Sequence, residues 1–322
     1  HARHSGAAHV LYALDPQVSN ELKLARHGLR FAARDIALAN LRSDAKPLVI
    51  RRDVHDTVVG LAVQSQHDAE IWPRFRRELF EFGRAMRPFW RGDSGSLPGT
   101  PWAEKLHIIA RTGAAAWLDS WFESDALKAA LCFDATAGGV SVLEPGSALS
   151  LVWRAAQEMS GLQGAVALPV GGISGLTQAL VSAAQSFGCD LRERAVVAGL
   201  LVDGERILGV ELASGESIFA PVVFSALSRR ATFAMLPRAA AGIARTAMTA
   251  RKKSVVSSAL ITLTLNGAPP LEKLAAPVDS RFVAGDCLDI YVSAEMAARH
   301  GELAVDLPME VTIPIMMNAG LS

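Results

Sequence analysis

Between Asp68 and Met86 the apolar residues Trp72, Phe75, Leu79, Phe82 and Met86 recur at alternating steps of three and four. An α-helix turns once in about 3.6 residues, so this spacing gathers all five on one face and predicts an amphipathic helix from Asp68, with Pro73 in its first turn. The same rule predicts further helices. Trp117, Leu118, Trp121 and Phe122 share a face, Ser124 and Asp125 cap a second short helix, and Ser147, after Pro145-Gly146, opens a third carrying Leu149, Val152, Trp153, Ala156 and Met159. Between Pro88 and Trp102, "PFWRGDSGSLPGTPW" concentrates glycine, proline and serine between tryptophans and reads as a loop suited to a mobile cover. The helical pattern begins near residue 65 and continues to about 165.

From Gly171 the period changes. Ser174 caps a helix with Leu176, Leu180, Ala183, Ala184 and Phe187 on one side, and Gly188 stands where a left-handed stop is needed. Strands follow as "LRERAVVAGLLV" and "RILGVELA", joined at Asp203-Gly204, then Ser214-Gly215 and "ESIFAPVVFSA", which predicts an antiparallel meander returning to a buried strand at Val222-Val223-Phe224. Beyond it come an alternating strand, "ALITLTL", a helix near Val292 to Arg299, and a strand at "MEVTIP". The first 50 or so residues mix short apolar pieces with turns and read as a connection, with a helix end at Gly28 before an extended piece.

A chain of 322 residues, half of them hydrophobic, is long enough for two domains. Lysine plus arginine equals aspartate plus glutamate, so no global field favours nucleic acid or an anionic membrane, and a small or neutral partner fits better. Cys132, Cys189 and Cys287 are widely separated, as expected of thiols in a reducing compartment such as the cytoplasm or an organelle interior. No apolar run reaches the roughly 18 residues that span a bilayer. The chain opens on His1 rather than methionine and stops at "PIMMNAGLS", from which truncation at both ends is expected.

Gly171, Gly172 and Gly175 do not spell G-x-G-x-x-G, and no G-x-x-x-x-G-K-[ST] occurs, so these glycines read first as turn and packing residues. The meander carries more. A valine-rich strand ending in the small pair Ser225-Ala226 is a common device in flavin- and dinucleotide-binding sheets, because small residues let backbone approach a flat cofactor. The histidines lack zinc spacing, and no metal site is expected; copper chelation by His1 and His4 would require His1 to be a mature terminus. The absence of G-x-S-x-G argues against an α/β-hydrolase. Asp119, Glu123 and Asp125 read as capping or solvated acids, and Arg229 and Arg230 as surface salt-bridging residues or holders of an anionic group.

The stretch "GGISGLTQALVSAAQSFGCDLRERAVVAGLLVDGERILGVELASGESIFAPVVFSALSRRATFAML" resembles the second FAD-contacting segment of the phytoene desaturase-related flavoproteins, within the amine oxidase-like superfamily. "HSGAAHVLYALDPQVSNELKLARHGL", "FDATAGGVSVLEPGSALSLVWRAAQEMSGLQGAVALPVGG" and "LPMEVTIP" resemble its pyridine nucleotide-disulfide oxidoreductase domain-containing branch, so the likeness covers nearly the whole chain. It implies an α/β (α+β) architecture forming part of a two-domain FAD-dependent oxidoreductase fold, with the N-terminal Rossmann βαβ unit missing. The implied parts are an entry segment at 1–64, a helical substrate-domain module at 65–165, the second FAD-domain segment at 166–240, and substrate-domain sheet and helix at 241–322. By position, Val197 matches the strand valine whose main chain meets adenine, Ser225 and Ala226 match the small residues closing over the cofactor, and Gly171 and Gly172 match the glycine pair. The implied activity is dehydrogenation of an apolar substrate by hydride transfer to flavin, with Trp- and Phe-rich helices lining the cleft. No catalytic acid or base is assigned. Because the family's phosphate-binding glycine motif is not in this sequence, the chain is expected to bind FAD poorly or not at all and to be inactive alone. Peripheral membrane association and self-association stay open. The rival reading is a non-catalytic module that binds a hydrophobic ligand or a protein partner through an apolar surface.

Overall fold

The computed structural model describes residues 8–42, 45–93, 95, 97–136, 139–204, 206–237, 258–267 and 274–314. It is mixed α and β, as the change of period requires, and divides into two compact units: His1–Phe187 with Ser254–Ser322, and Gly188–Lys253.

The first unit is organised by helices α1 (Pro16–Glu21), α2 (Val54–Ala62), α3 (Gln66–Trp90), α4 (Pro101–Ile109), α5 (Ala114–Asp119), α6 (Asp125–Ala135), α7 (Ala148–Ala156) and α8 (Ile173–Ser186). The stripe on α3 is buried as its spacing requires: Trp72, Phe75, Leu79, Phe82 and Met86 all face the core. Around them the rings interlock, with Phe75 edge-on to Phe122 at 4.7 Å and Phe82 stacked on Trp102 at 5.6 Å. Gly83 lets α3 approach α7 to backbone contact, since a Cβ there would lie 2.9 Å from the Ala156 nitrogen.

Helix α3 starts two residues earlier than the apolar pattern indicates, because the Ser65 hydroxyl accepts the Asp68 N–H and caps it. Pro73 therefore lies inside the helix rather than in its first turn. The segment after α3 is not a free cover: Pro88 to Trp90 belong to α3, Leu97 is buried, and Trp102 packs in α4.

The same unit holds four strands in the order β11 (Met309–Val311), β10 (Arg281–Ala284), β2 (Leu38–Leu41), β3 (Leu48–Ile50). β10 runs parallel to β2 and antiparallel to β11. Short pairs β1 (Phe31–Ala33) with β6 (Leu168–Pro169), and β4 (Glu158–Met159) with β5 (Leu162–Gln163), lead towards α8. Helix α8 begins after Gly172, so Ser174 lies in its first turn and does not cap it. Its covered stripe is buried Ala179 and Ala183 with half-buried Leu176, against Leu24 and Leu29, while Phe187 is exposed, a rotation from the face drawn through Leu180 and Phe187. Helix α10 (Asp289–Arg299), where the sequence places one, packs Tyr291 inward.

The second unit contains the meander β7 (Val197–Asp203), β8 (Arg206–Leu212), β9 (Ser217–Phe219), followed by helix α9 (Arg229–Ala234). Gly204 and Gly215 turn with φ of +56° and +87°, the left-handed conformation their turn positions demand. Two predicted strands are absent. Val222-Val223-Phe224 forms no strand, and Val222 and Phe224 are 61% and 94% exposed. In the first unit, Ala259–Leu265 also runs unpaired through solvent. A strand exists only through hydrogen bonds to a neighbour, and among the described residues neither segment has one.

Candidate functional site

The residues matched to cofactor contacts occupy two places. Gly171 and Gly172, in the first unit, form the turn before α8, with φ of +78° and +70°. Space beside both is open, whereas a Cβ on Gly175 would collide with the Val170 carbonyl. Gly171 and Gly172 are thus required by backbone conformation and Gly175 by close packing.

Val197, Ser225 and Ala226 lie in the second unit. Val197 pairs with Leu212 beside a bulge in β7, and the Leu200 N–H donates to the Met235 carbonyl (2.9 Å) just after α9. That bond ties the Val197 strand to the segment that follows Ser225. Ser225 and Ala226 are exposed, and the Ser225 hydroxyl pairs with Thr232 Oγ1 (2.7 Å) while accepting the Leu227 N–H (3.3 Å). Ser228 then caps α9 by accepting the Ala231 N–H (3.2 Å). A shallow cavity of about 450 Å³ lies next to Val197, lined by Val196 and Leu212 together with the cations Arg192 and Arg194 and the acids Glu193 and Glu216. Arg192 is engaged by Asp190 and Glu216 at 3.1 and 2.8 Å. In the hollow Arg192 and Arg194 are offset by Glu193 and Glu216, so it carries no net positive charge.

Of the aromatic residues on these helices, Trp72, Phe75, Phe82 and Phe122 fill the core of the first unit. Asp119 and Asp125 both hold Lys128 at 2.8 Å, which gives these acids a structural use.

Two clusters escaped the sequence reading. His67, Asp68 and Glu123 bring ligand atoms within 4.8 Å of one another. Asp68, however, is buried and accepts the backbone N–H groups of Glu123 (2.9 Å) and Ser124 (2.7 Å), so its carboxylate docks the entry to α6 onto α3. Its hydrogen bond to His67 Nδ1 raises the His67 pKa. That is the signature of a staple rather than of an open metal site.

The second cluster is a buried charge network. Arg281 donates through Nε to Glu310 (2.6 Å) and through Nη2 to Asp134 (2.8 Å), which also accepts from Arg154 at 3.2 Å. The Tyr12 hydroxyl donates to Glu310 (3.0 Å), His9 meets the same oxygen, and the Arg154 guanidinium lies 3.6 Å from the Tyr12 ring centre. Two guanidinium groups balance two carboxylates. Burial works against the Glu310 carboxylate, yet His9 and Arg281 outweigh it and hold its pKa below the usual range; Arg154 and Arg281 do the same for Asp134. Burial pushes the Tyr12 phenol upward, and it pushes the Cys132 thiol up to about 12, which makes that cysteine inert. The network joins segments about 300 residues apart in sequence, so no local motif announces it.

Among the described residues no helix is long and apolar enough to cross a membrane. No family model matches the chain. It is similar to the rat pyridine nucleotide-disulfide oxidoreductase domain-containing protein 2, at 28% identity over 264 residues, and to the mouse protein of that name, at 27% over 265 residues. Each match takes in 71% of this chain and 45% of the relative, so the chain spans about half the length of these relatives. Among solved structures it is similar to an oxidoreductase from Methanosarcina mazei, with 18% identity and a TM-score of 0.47, covering 72% of this chain and 49% of that one. A putrescine oxidase variant redesigned in cofactor binding shares 16% identity at a TM-score of 0.47, covering 74% and 51%.

Proposed function

We propose that this chain provides the adenine-side clamp and the substrate module of an FAD-dependent oxidoreductase of the phytoene desaturase-related kind, working in the cytoplasm on an apolar substrate. The observation that carries the reading is the β7–β8–β9 meander running into the small pair Ser225-Ala226 and bonded back to β7 after α9. Similarity to the two mammalian oxidoreductase domain-containing proteins supports it. In this arrangement the Val197 main chain borders the adenine, Ser225 and Ala226 leave backbone uncovered for a flat ring, and Gly171 and Gly172 turn the chain without side-chain bulk. When bound, the flavin supplies the redox chemistry by taking up hydride from substrate. The chain's own task is to hold and orient.

Since the phosphate-gripping glycine motif does not occur in the sequence, most of the cofactor's binding free energy has no donor here. The chain is expected to purify colourless and to bind FAD weakly and saturably, with a Kd on the order of 1 mM that ADP shares. Ala226→Trp should abolish both. Titration followed by flavin fluorescence, with ADP as competitor, measures this. Stoichiometric yellow flavin on the purified chain would contradict the weak-grip account. Absence of saturable binding of either nucleotide would instead favour the rival, a non-catalytic module whose exposed Val222, Phe224 and Leu227 contact a hydrophobic ligand or a protein partner.

A further inference from the structure

The sheet of the first unit is unfinished on one side. Its cross-strand row runs Val49, Ala39, Phe282, Val311. Ala39 and Phe282 are fully buried, whereas Val311, the terminal member, is 46% exposed and Met309 on the same face is equally open. Among the described residues no strand pairs with the outer N–H and C=O groups of β11, which form an edge of the sheet. On its other face Glu310 turns inward to Arg281. The edge is thus apolar on one face and polar on the other.

The same compact unit contains a segment with the matching pattern and no partner. Residues 258–267 are exposed throughout, with Leu260, Ile261, Leu263 and Leu265 all in solvent and Ile261 at 78%. Among the described residues no backbone hydrogen bond ties this stretch to any other. Fully burying such a side chain is worth about 1.5–3 kcal/mol, so leaving four of them in water forgoes a large stabilisation. In an extended conformation Ile261, Leu263 and Leu265 share one face, and Thr262 and Thr264 share the other with Leu260 at its start, so one face is wholly apolar and the other mixed.

We infer that residues 259–265 dock on the outer edge of β11 as a fifth strand, with Ile261, Leu263 and Leu265 extending the Val311 and Met309 rows. The chain between Leu265 and Arg281 permits it: some 15 residues reach up to about 50 Å, and passing over one strand to β10 requires about 10 Å. The docked strand satisfies the outer β11 backbone and covers Val311. It acts as a strap that closes the sheet, and it stands independently of the cofactor reading.

Amide hydrogen exchange on the whole chain, run beside light scattering, tests this. The expected result is a monomer in which amides of 259–265 exchange at least about tenfold more slowly than free peptide, together with outward amides of 309–311. Leu263→Pro should remove the protection from both segments while α3 stays protected. As a check independent of that variant, Leu263→Cys combined in turn with Met309→Cys and Val311→Cys, in a Cys189→Ser, Cys287→Ser background, should give an intramolecular disulfide with one partner. A monomer whose residues 259–265 exchange at the free rate overturns the inference. So does a dimer in which β11 is protected and 259–265 is not, because a second copy would then hold the edge.

Discussion

The two units treat the same kinds of residue in opposite ways. In the first, Phe75 and Phe122 are packed into an interlocked ring cluster with Trp72 and Trp117, and Phe82 is stacked on Trp102. In the described part of the second, Leu212 is the one large apolar residue that is buried, while Val196, Phe219, Val222 and Phe224 face solvent. Hairpin turns and strand pairing give the second unit a defined local geometry, but with one large apolar side chain buried among its described residues the sheet has little burial to stabilise it. The first unit owes its stability to its own interior; the second has apolar surface to offer a ligand or a covering partner.

The contrast is sharpest for one residue type at two positions. Phe82→Ala, in the core, is expected to cost about 4 kcal/mol in chemical denaturation followed by circular dichroism. Phe224→Ala should change stability by no more than about 0.5 kcal/mol in the same experiment. Comparable losses from both would erase the distinction between the units. Between these extremes lies the buried network. Glu310→Gln leaves Arg281 short of an anionic partner and should cost about 3 kcal/mol at neutral pH. Because Glu310 and Asp134 have folded pKa values below their ordinary ones, their contribution is complete above the unfolded carboxylate pKa of about 4 and is lost as pH falls through the folded values. The Gln variant should therefore show a flatter decline below about pH 4 than the parent chain, and parallel curves would remove Glu310 from the account.

What was legible in the sequence was local. The α3 stripe and the Asp203-Gly204 and Ser214-Gly215 turns depend on residues a few positions apart, and the structure has them where the pattern put them. The buried strand at Val222-Val223-Phe224 depended instead on a neighbour, and β-propensity does not supply one. The α8 stripe was turned because Leu24 and Leu29, far earlier in the chain, decide which side is covered. For the candidate site, the small pair at Ser225-Ala226 was readable, but its attachment through Thr232 and the Leu200–Met235 bond was not. Asp68 gave no sign of docking α6, since a carboxylate receiving two distant backbone N–H groups has no sequence motif.

All six tryptophans fall between Trp72 and Trp153, within the helical part of the first unit, and none between Gly188 and Lys253. Indole emission from this protein is therefore a single-region reporter, with every emitter in the first unit. A ligand that dims it without absorbing at the excitation or emission wavelength changes the surroundings of at least one of these six indoles.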